Sequence, residues 1–97
     1  MPTYISLIHF TEQGIKNVKD SPKRIDAARE AYRKAGGELK AIYATMGKVD
    51  LIAIVDLPDD ATAARASLAL GALGNVRSET LKAFTEDEYR KIVSTMQ

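Results

Sequence analysis

The sequence predicts a single α+β domain of strand–helix–strand–strand–helix–strand order with one further helix at the end, and three observations predict it. Apolar runs of strand length alternate with helical patterns, and Ser-Pro, Gly-Gly and Gly punctuation separates them. The second and third strand-like runs are joined by little more than Gly47-Lys48, too short for a crossover, so they form a hairpin. The chain has 97 residues, enough for one core and not for two.

The first strand runs from Thr3 to Phe10. Ile5 and Leu7 point to one face, and Tyr4, Ile8 and Phe10 to the other. Both faces are largely apolar, which places this strand in the middle of a sheet covered on both sides. The polar stretch Thr11 to Asp20, with Gly14, Lys16 and Lys19, reads as a loop holding at most one turn of helix. Ser21-Pro22 then opens a helix, Ser21 as an acceptor for free N–H groups and Pro22 at a position that needs no donor. Its apolar side is Ile25, Ala28, Ala31 or Tyr32, and Ala35. Gly36-Gly37 ends it.

Leu39 to Met46 is the second strand and Val49 to Asp56 the third. The run Leu51 to Val55 is continuously apolar, which marks a second central strand. Leu57-Pro58-Asp59-Asp60 is a stop followed by a cap for an alanine-rich helix, Ala61 to Leu73. Its small residues allow close approach to a sheet, and Gly74 terminates it. The last strand, to Ala83, is the most polar and suits an edge. Thr85 and Glu88 then match a capping box, with Phe84 and Tyr89 at staple positions. Tyr89, Ile92, Val93 and Met96 make the apolar stripe of a terminal helix.

With right-handed crossovers this order gives the split βαβ, or ferredoxin-like, arrangement: an antiparallel sheet ordered 4-1-3-2. The first and third strands, central by composition, are also central by topology. Two helices cover one face. The other face is apolar too, so the terminal helix is expected to cover part of it and a second copy of the chain the rest.

Composition excludes several function classes. The formal charge is +1, so bulk electrostatics recruit neither nucleic acid nor a membrane surface. There is no cysteine and one histidine, so a metal site is not expected, and no cofactor is required by the residues. No apolar run has the about 20 residues of a spanning helix, and Met1-Pro2-Thr3-Tyr4-Ile5 carries no charged leader; the expected compartment is the cytoplasm. The third strand has no stacking aromatics of the kind an RNA-reading sheet displays.

Strand directions bring His9, Thr11, Lys16, Arg24, Tyr43, Thr45, Asp50 and Arg77 toward one end of the domain. His9 is the one side chain whose ordinary pKa lies near neutrality, and Asp50 is a candidate to orient it as an acid–base pair. The competing reading makes His9 a satisfied strand-end histidine and Asp50 a cap on the hairpin. Lys16 and Arg24, with Tyr43 and Arg77, are the candidate ligand-binding side chains, and lysines near the first long helix suggest an anion site. Gly47 and Gly74 are turn glycines. Which of these residues share a face is open, because a one-residue register change reverses it.

The runs Tyr4-Ile5-Ser6-Leu7, Thr11-Glu12-Gln13-Gly14-Ile15 and Lys19-Asp20-Ser21-Pro22-Lys23-Arg24 resemble the start of GYD-domain proteins. So do Thr45-Met46-Gly47-Lys48-Val49-Asp50 and the stretch from Leu70 to Thr85, and the resemblance spans nearly the whole chain. The name-giving Gly-x-Tyr-Asp reads Gly47-Lys48-Val49-Asp50 here, so any role of that tyrosine hydroxyl is absent. The resemblance implies a prokaryotic protein, residues 1–97 forming one domain similar to the dimeric α+β barrel group. The expectation is a homo-oligomer that binds a small metabolite. The alternatives are a small enzyme with cofactor-free or haem-dependent oxidative chemistry, or an assembly subunit without ligand.

Overall fold

The computed structural model describes all residues, 1–97. Its elements are β1 (Thr3–Phe10), α1 (Glu12–Lys16), a 3-10 turn (Val18–Asp20), α2 (Ser21–Lys34), β2 (Glu38–Ala44), β3 (Leu51–Asp56), α3 (Asp60–Ala72), β4 (Val76–Ala83) and α4 (Glu86–Ser94). One antiparallel sheet has the order β2-β3-β1-β4, which is the expected ferredoxin-like order read from the other edge.

The register fixes the two faces. Tyr4 stands opposite Val55, Ser6 opposite Ala53 and Ile8 opposite Leu51, and this face lies under α2 and α3. Six residues form the buried apolar centre: Tyr4, Tyr32, Ala53, Val55, Leu57 and Ala63. Tyr4 contributes its ring to that centre while its hydroxyl donates to the Asp60 carboxylate in the first turn of α3. Beside it, the hydroxyls of Ser6, Thr80 and Ser67 connect β1, β4 and α3 at 3.3 and 2.8 Å. A bulge at Lys40 interrupts β2, and Lys40 reaches Asp56 at 3.8 Å.

Several local expectations needed correction. The stretch after β1 is ordered as α1 and a 3-10 turn, and Thr11 is its cap: its Oγ1 accepts from the Gly14 N–H at 3.1 Å. The 3-10 turn runs straight into α2, so Ser21 is already helical and makes no capping bond. The hairpin is wider than a two-residue turn. Regular pairing stops at Ala44 and resumes at Leu51, although the Thr45 N–H still donates to the Asp50 carbonyl at 2.9 Å. Gly47 takes φ 129° in that reversal and Gly74 takes φ 87° after α3, values that suit residues without a Cβ.

The terminal helix departs furthest from expectation. Its capping box forms in full, Thr85 and Glu88 bonding each other's backbone N–H. Yet every residue of α4 is exposed, and it covers neither face of its own sheet. The radius of gyration is 14.6 Å, against about 12.5 Å for a compact chain of this length. The difference reflects this helix standing off the body. No helix is long and apolar enough to cross a membrane.

Candidate functional site

The strand ends do converge at one pole of the domain, but the period-2 alternation divides the candidate residues between two faces. His9 pairs in register with Arg77, and both belong with Ile5 and Leu7 to the face opposite the helices. Tyr43, opposite Ile52, lies on that face as well and is 61% exposed. Arg24 belongs to the helix side. Lys16 sits exposed in the last turn of α1.

Asp50 ties the hairpin to β1. Its carboxylate Oδ2 accepts from the Phe10 N–H at 2.9 Å, and its own N–H donates to the Ile8 carbonyl at 3.0 Å. No hydrogen bond or ion pair joins Asp50 to His9. The arrangement therefore offers a hairpin cap and no assembled acid–base pair. No group of three or more histidine, aspartate or glutamate side chains stands close enough to hold a metal ion.

A cavity of about 510 Å³ lies elsewhere, between α2, α3 and the sheet. Of its 22 lining residues 17 are hydrophobic, so burial of an apolar body is what it offers. The walls come from alanines at helical spacing on facing sides of the two helices, Ala28, Ala31 and Ala35 against Ala66 and Ala69. Alanines in the sequence promised close packing. Here the two helices stand apart and the alanines leave space between them instead. Among the residues singled out from sequence as site candidates, Arg24 alone lines this cavity.

The polar end of the cavity is built by a junction that sequence reading passed over. Gly14 approaches the Asn75 backbone so closely that a Cβ on it would lie 1.9 Å from the Asn75 carbonyl oxygen. The Thr11 N–H donates to that oxygen at 3.1 Å, and the Thr11 hydroxyl donates to the Gly74 carbonyl. Arg24 closes the group by donating to the carbonyls of Asn17 at 3.1 Å and Gly14 at 3.4 Å. Ser21, Arg24 and Asn75 thus meet at one end of a chamber whose other polar lining residues are Thr62 and Arg65. The signal available in the sequence was the pair Gly14 and Gly74-Asn75 at the two segments that touch.

Elsewhere the charged groups are structural. The Asp60 carboxyl is held below the usual range by the Tyr4 hydroxyl, then by Lys82, and Tyr4 in turn is pushed up to about 12 by that hydrogen bond. Asp59 is lowered by bonding Thr62, whose N–H it caps at 2.8 Å.

The profile of the GYD domain family matches residues 4–93. The chain belongs to the GYD domain family. Its curated relatives include a protein of Thermus thermophilus named "Glutamine synthetase and cystathionine beta-lyase binding protein". That protein is 38% identical over 84 residues, 86% of this chain and 88% of the relative. Among solved structures, the crystal structure of TTHA0845, also from Thermus thermophilus, resembles this GYD chain with a TM-score of 0.56 and 28% identity, covering 88% of this chain and 95% of that one.

Proposed function

We propose that this GYD protein is a homo-oligomeric binding module that docks onto other proteins. The observation that carries this reading is the imbalance of its apolar surface. Eight residues are buried, whereas thirteen large hydrophobic side chains are exposed. They include Leu81 and Tyr43 on the open sheet face and Tyr89, Ile92, Val93 and Met96 on α4. Surface of that kind on a small domain marks an interaction site.

The two surfaces suit two occupants. The open sheet face carries Ile5, Leu7, Ile52 and Ile54, with Arg77 and Glu79 together along its β4 edge, so it is apolar in the middle with opposite charges on one rim. Opposite charges on one edge strand let a second copy related by a two-fold axis pair Arg77 with Glu79, the self-complementarity of an isologous dimer. The α4 stripe, capped and free, has the form of a helix that lies in a partner's groove. The name of the Thermus relative supports protein partners, and glutamine synthetase and cystathionine β-lyase are the first to try. A bacterial cytoplasmic setting accords with such partners.

Two measurements test the proposal. Native mass spectrometry at micromolar concentration is expected to give a homo-oligomer that Leu7→Glu converts to monomer. Biolayer interferometry is expected to detect one or both enzymes, with binding lost in the doubly substituted Ile92→Glu, Met96→Glu. A monomeric wild type defeats the self-association. Failure to bind either enzyme, or binding indifferent to α4, defeats the docking.

A further inference from the structure

We propose that the chamber between α2 and α3 is a binding site for an elongated organic carboxylate, with its head group at Ser21, Arg24 and Asn75 and its apolar tail between the helices. This goes beyond the protein-docking reading and uses the opposite face of the sheet.

Size comes first. The chamber, about 510 Å³, is roughly three times an apolar cavity of about 150 Å³ that accepts benzene, and lies within the range of ligand pockets in general. The space is half open to solvent, with Ala31, Ala35, Ala69 and Leu73 of its lining exposed, so an apolar occupant gains by covering surface that water now contacts.

Charge decides the ligand class. The lining contains two cations, Arg24 and Arg65, and no carboxylate. Arg24 is half-buried and spends its bonds on two backbone carbonyls, so its charge is not neutralised by an acidic partner. Arg65 enters no ion pair and acts on Asp59 through space. The side-chain nitrogen of Asn75 and the Ser21 hydroxyl make no hydrogen bond within the chain; the Asn75 oxygen is the atom engaged, accepting from Gln13 at 2.9 Å. Three unused or partly used donors at one end of an apolar chamber fit the two oxygens of a carboxylate, and a guanidinium matches them in a bidentate geometry.

Direction follows from topology. β1 and β3 are antiparallel, so α2 and α3 leave the sheet from opposite ends and run past each other. The start of α2 therefore lies by the end of α3, where Leu73 and Asn75 are, and the tail extends from there toward Tyr32, Leu39 and Ala66.

Isothermal titration with decanoate, and with decan-1-ol as its uncharged counterpart, tests this. The full-length protein is expected to bind one decanoate per chain. Ala69→Phe, which fills the chamber, should weaken binding at least tenfold, and Ala31→Leu serves if that variant does not fold. Arg24→Gln should weaken decanoate at least tenfold and decanol less than threefold. Because Arg24 also holds the α1 backbone, Asn75→Ala repeats the head-group test with a side chain whose one internal bond is exposed. Leu7→Glu, on the other face, should leave decanoate binding unchanged. Absence of saturable binding, or binding indifferent to the filled chamber, overturns the site. Equal losses for acid and alcohol in the head-group variants overturn the carboxylate assignment. Loss in Leu7→Glu moves the ligand to the sheet's open face and overturns the proposal. None of these outcomes touches protein docking, which is read from α4 and the oligomer mass.

Discussion

Replacing Gly14 by alanine inserts one carbon into the junction that builds the polar end of the chamber. Helix propensity alone favours the change, since alanine gains up to about 1 kcal/mol over glycine inside a helix. The local geometry opposes it. The new Cβ would stand 1.9 Å from the Asn75 carbonyl oxygen and 2.9 Å from its carbon, and both atoms are backbone. Real Cβ contacts under 3.0 Å are essentially unknown, so the Asn75 segment must retreat by about 1 Å or more. That movement breaks the bond from the Thr11 N–H to the Asn75 carbonyl and that from the Thr11 hydroxyl to the Gly74 carbonyl. Two such bonds, with partners left half-buried, cost about 2–4 kcal/mol, more than the propensity gain. Urea unfolding of Gly14→Ala is expected to show the net loss, about 1–4 kcal/mol, and thermal unfolding a fall of roughly 4–30 °C. Gly71→Ala is the internal control. It lies within α3 with nothing near the added carbon, so it is expected to stabilise by about 0.5–1 kcal/mol. A neutral or stabilising Gly14→Ala would refute the close approach, and with it the placement of Ser21, Arg24 and Asn75 in one group.

Asp50→Ala leaves the Phe10 N–H without its acceptor and is expected to cost about 1–3 kcal/mol in urea unfolding, with Asp50→Asn costing less because its side-chain oxygen still accepts. Tyr4 has its pKa raised from 10.0 to about 12 in the fold, so the neutral phenol is the favoured form. Its stabilising contribution is complete below pH 10 and disappears between pH 10 and 12; the wild type should lose stability across that window faster than Tyr4→Phe. Thr85→Ala removes one half of the capping box at a cost of about 0.5–2 kcal/mol to α4. Because every residue of α4 is exposed, amide exchange over Glu86–Ser94 should accelerate while global unfolding of the isolated chain stays put.

The strand order was legible because two independent signals agreed: the apolar composition of Thr3–Phe10 and Leu51–Asp56, and the hairpin that made the second and third strands neighbours. Caps were legible for the same local reason, as Asp59 and Thr85 need only the next three residues to act. What failed to show was set by contacts remote in sequence. Thr11 and Gly14 meet Gly74 and Asn75 some sixty residues away, and a glycine in each segment allows such an approach without saying which segments meet. The alanines of α2 and α3 give no hint whether helices close over them or stand apart, because that is settled by how both helices sit on the sheet. Likewise the stripe on α4 reads the same whether it covers its own sheet or another molecule.

The alternation of β1 explains how one small sheet can serve two partners at once. Ile8 and Phe10 line the chamber, while Ile5, Leu7 and His9 face outward with Arg77 and Glu79. The strand is fully bonded on both sides, to β3 and β4, so its two faces are fixed relative to each other by the ladder and not by side-chain packing. A ligand in the chamber would complete packing on one face, and a second copy would complete it on the other. Each binding event orders surface that the isolated chain leaves unfilled, and a sheet with a six-residue buried centre gains from both. The two are then expected to add in stability. Titrating decanoate into wild type and Leu7→Glu should raise the melting temperature of each by a similar increment, since the occupied faces share strands but no side chains. A ligand-induced increment confined to the wild type would refute their independence.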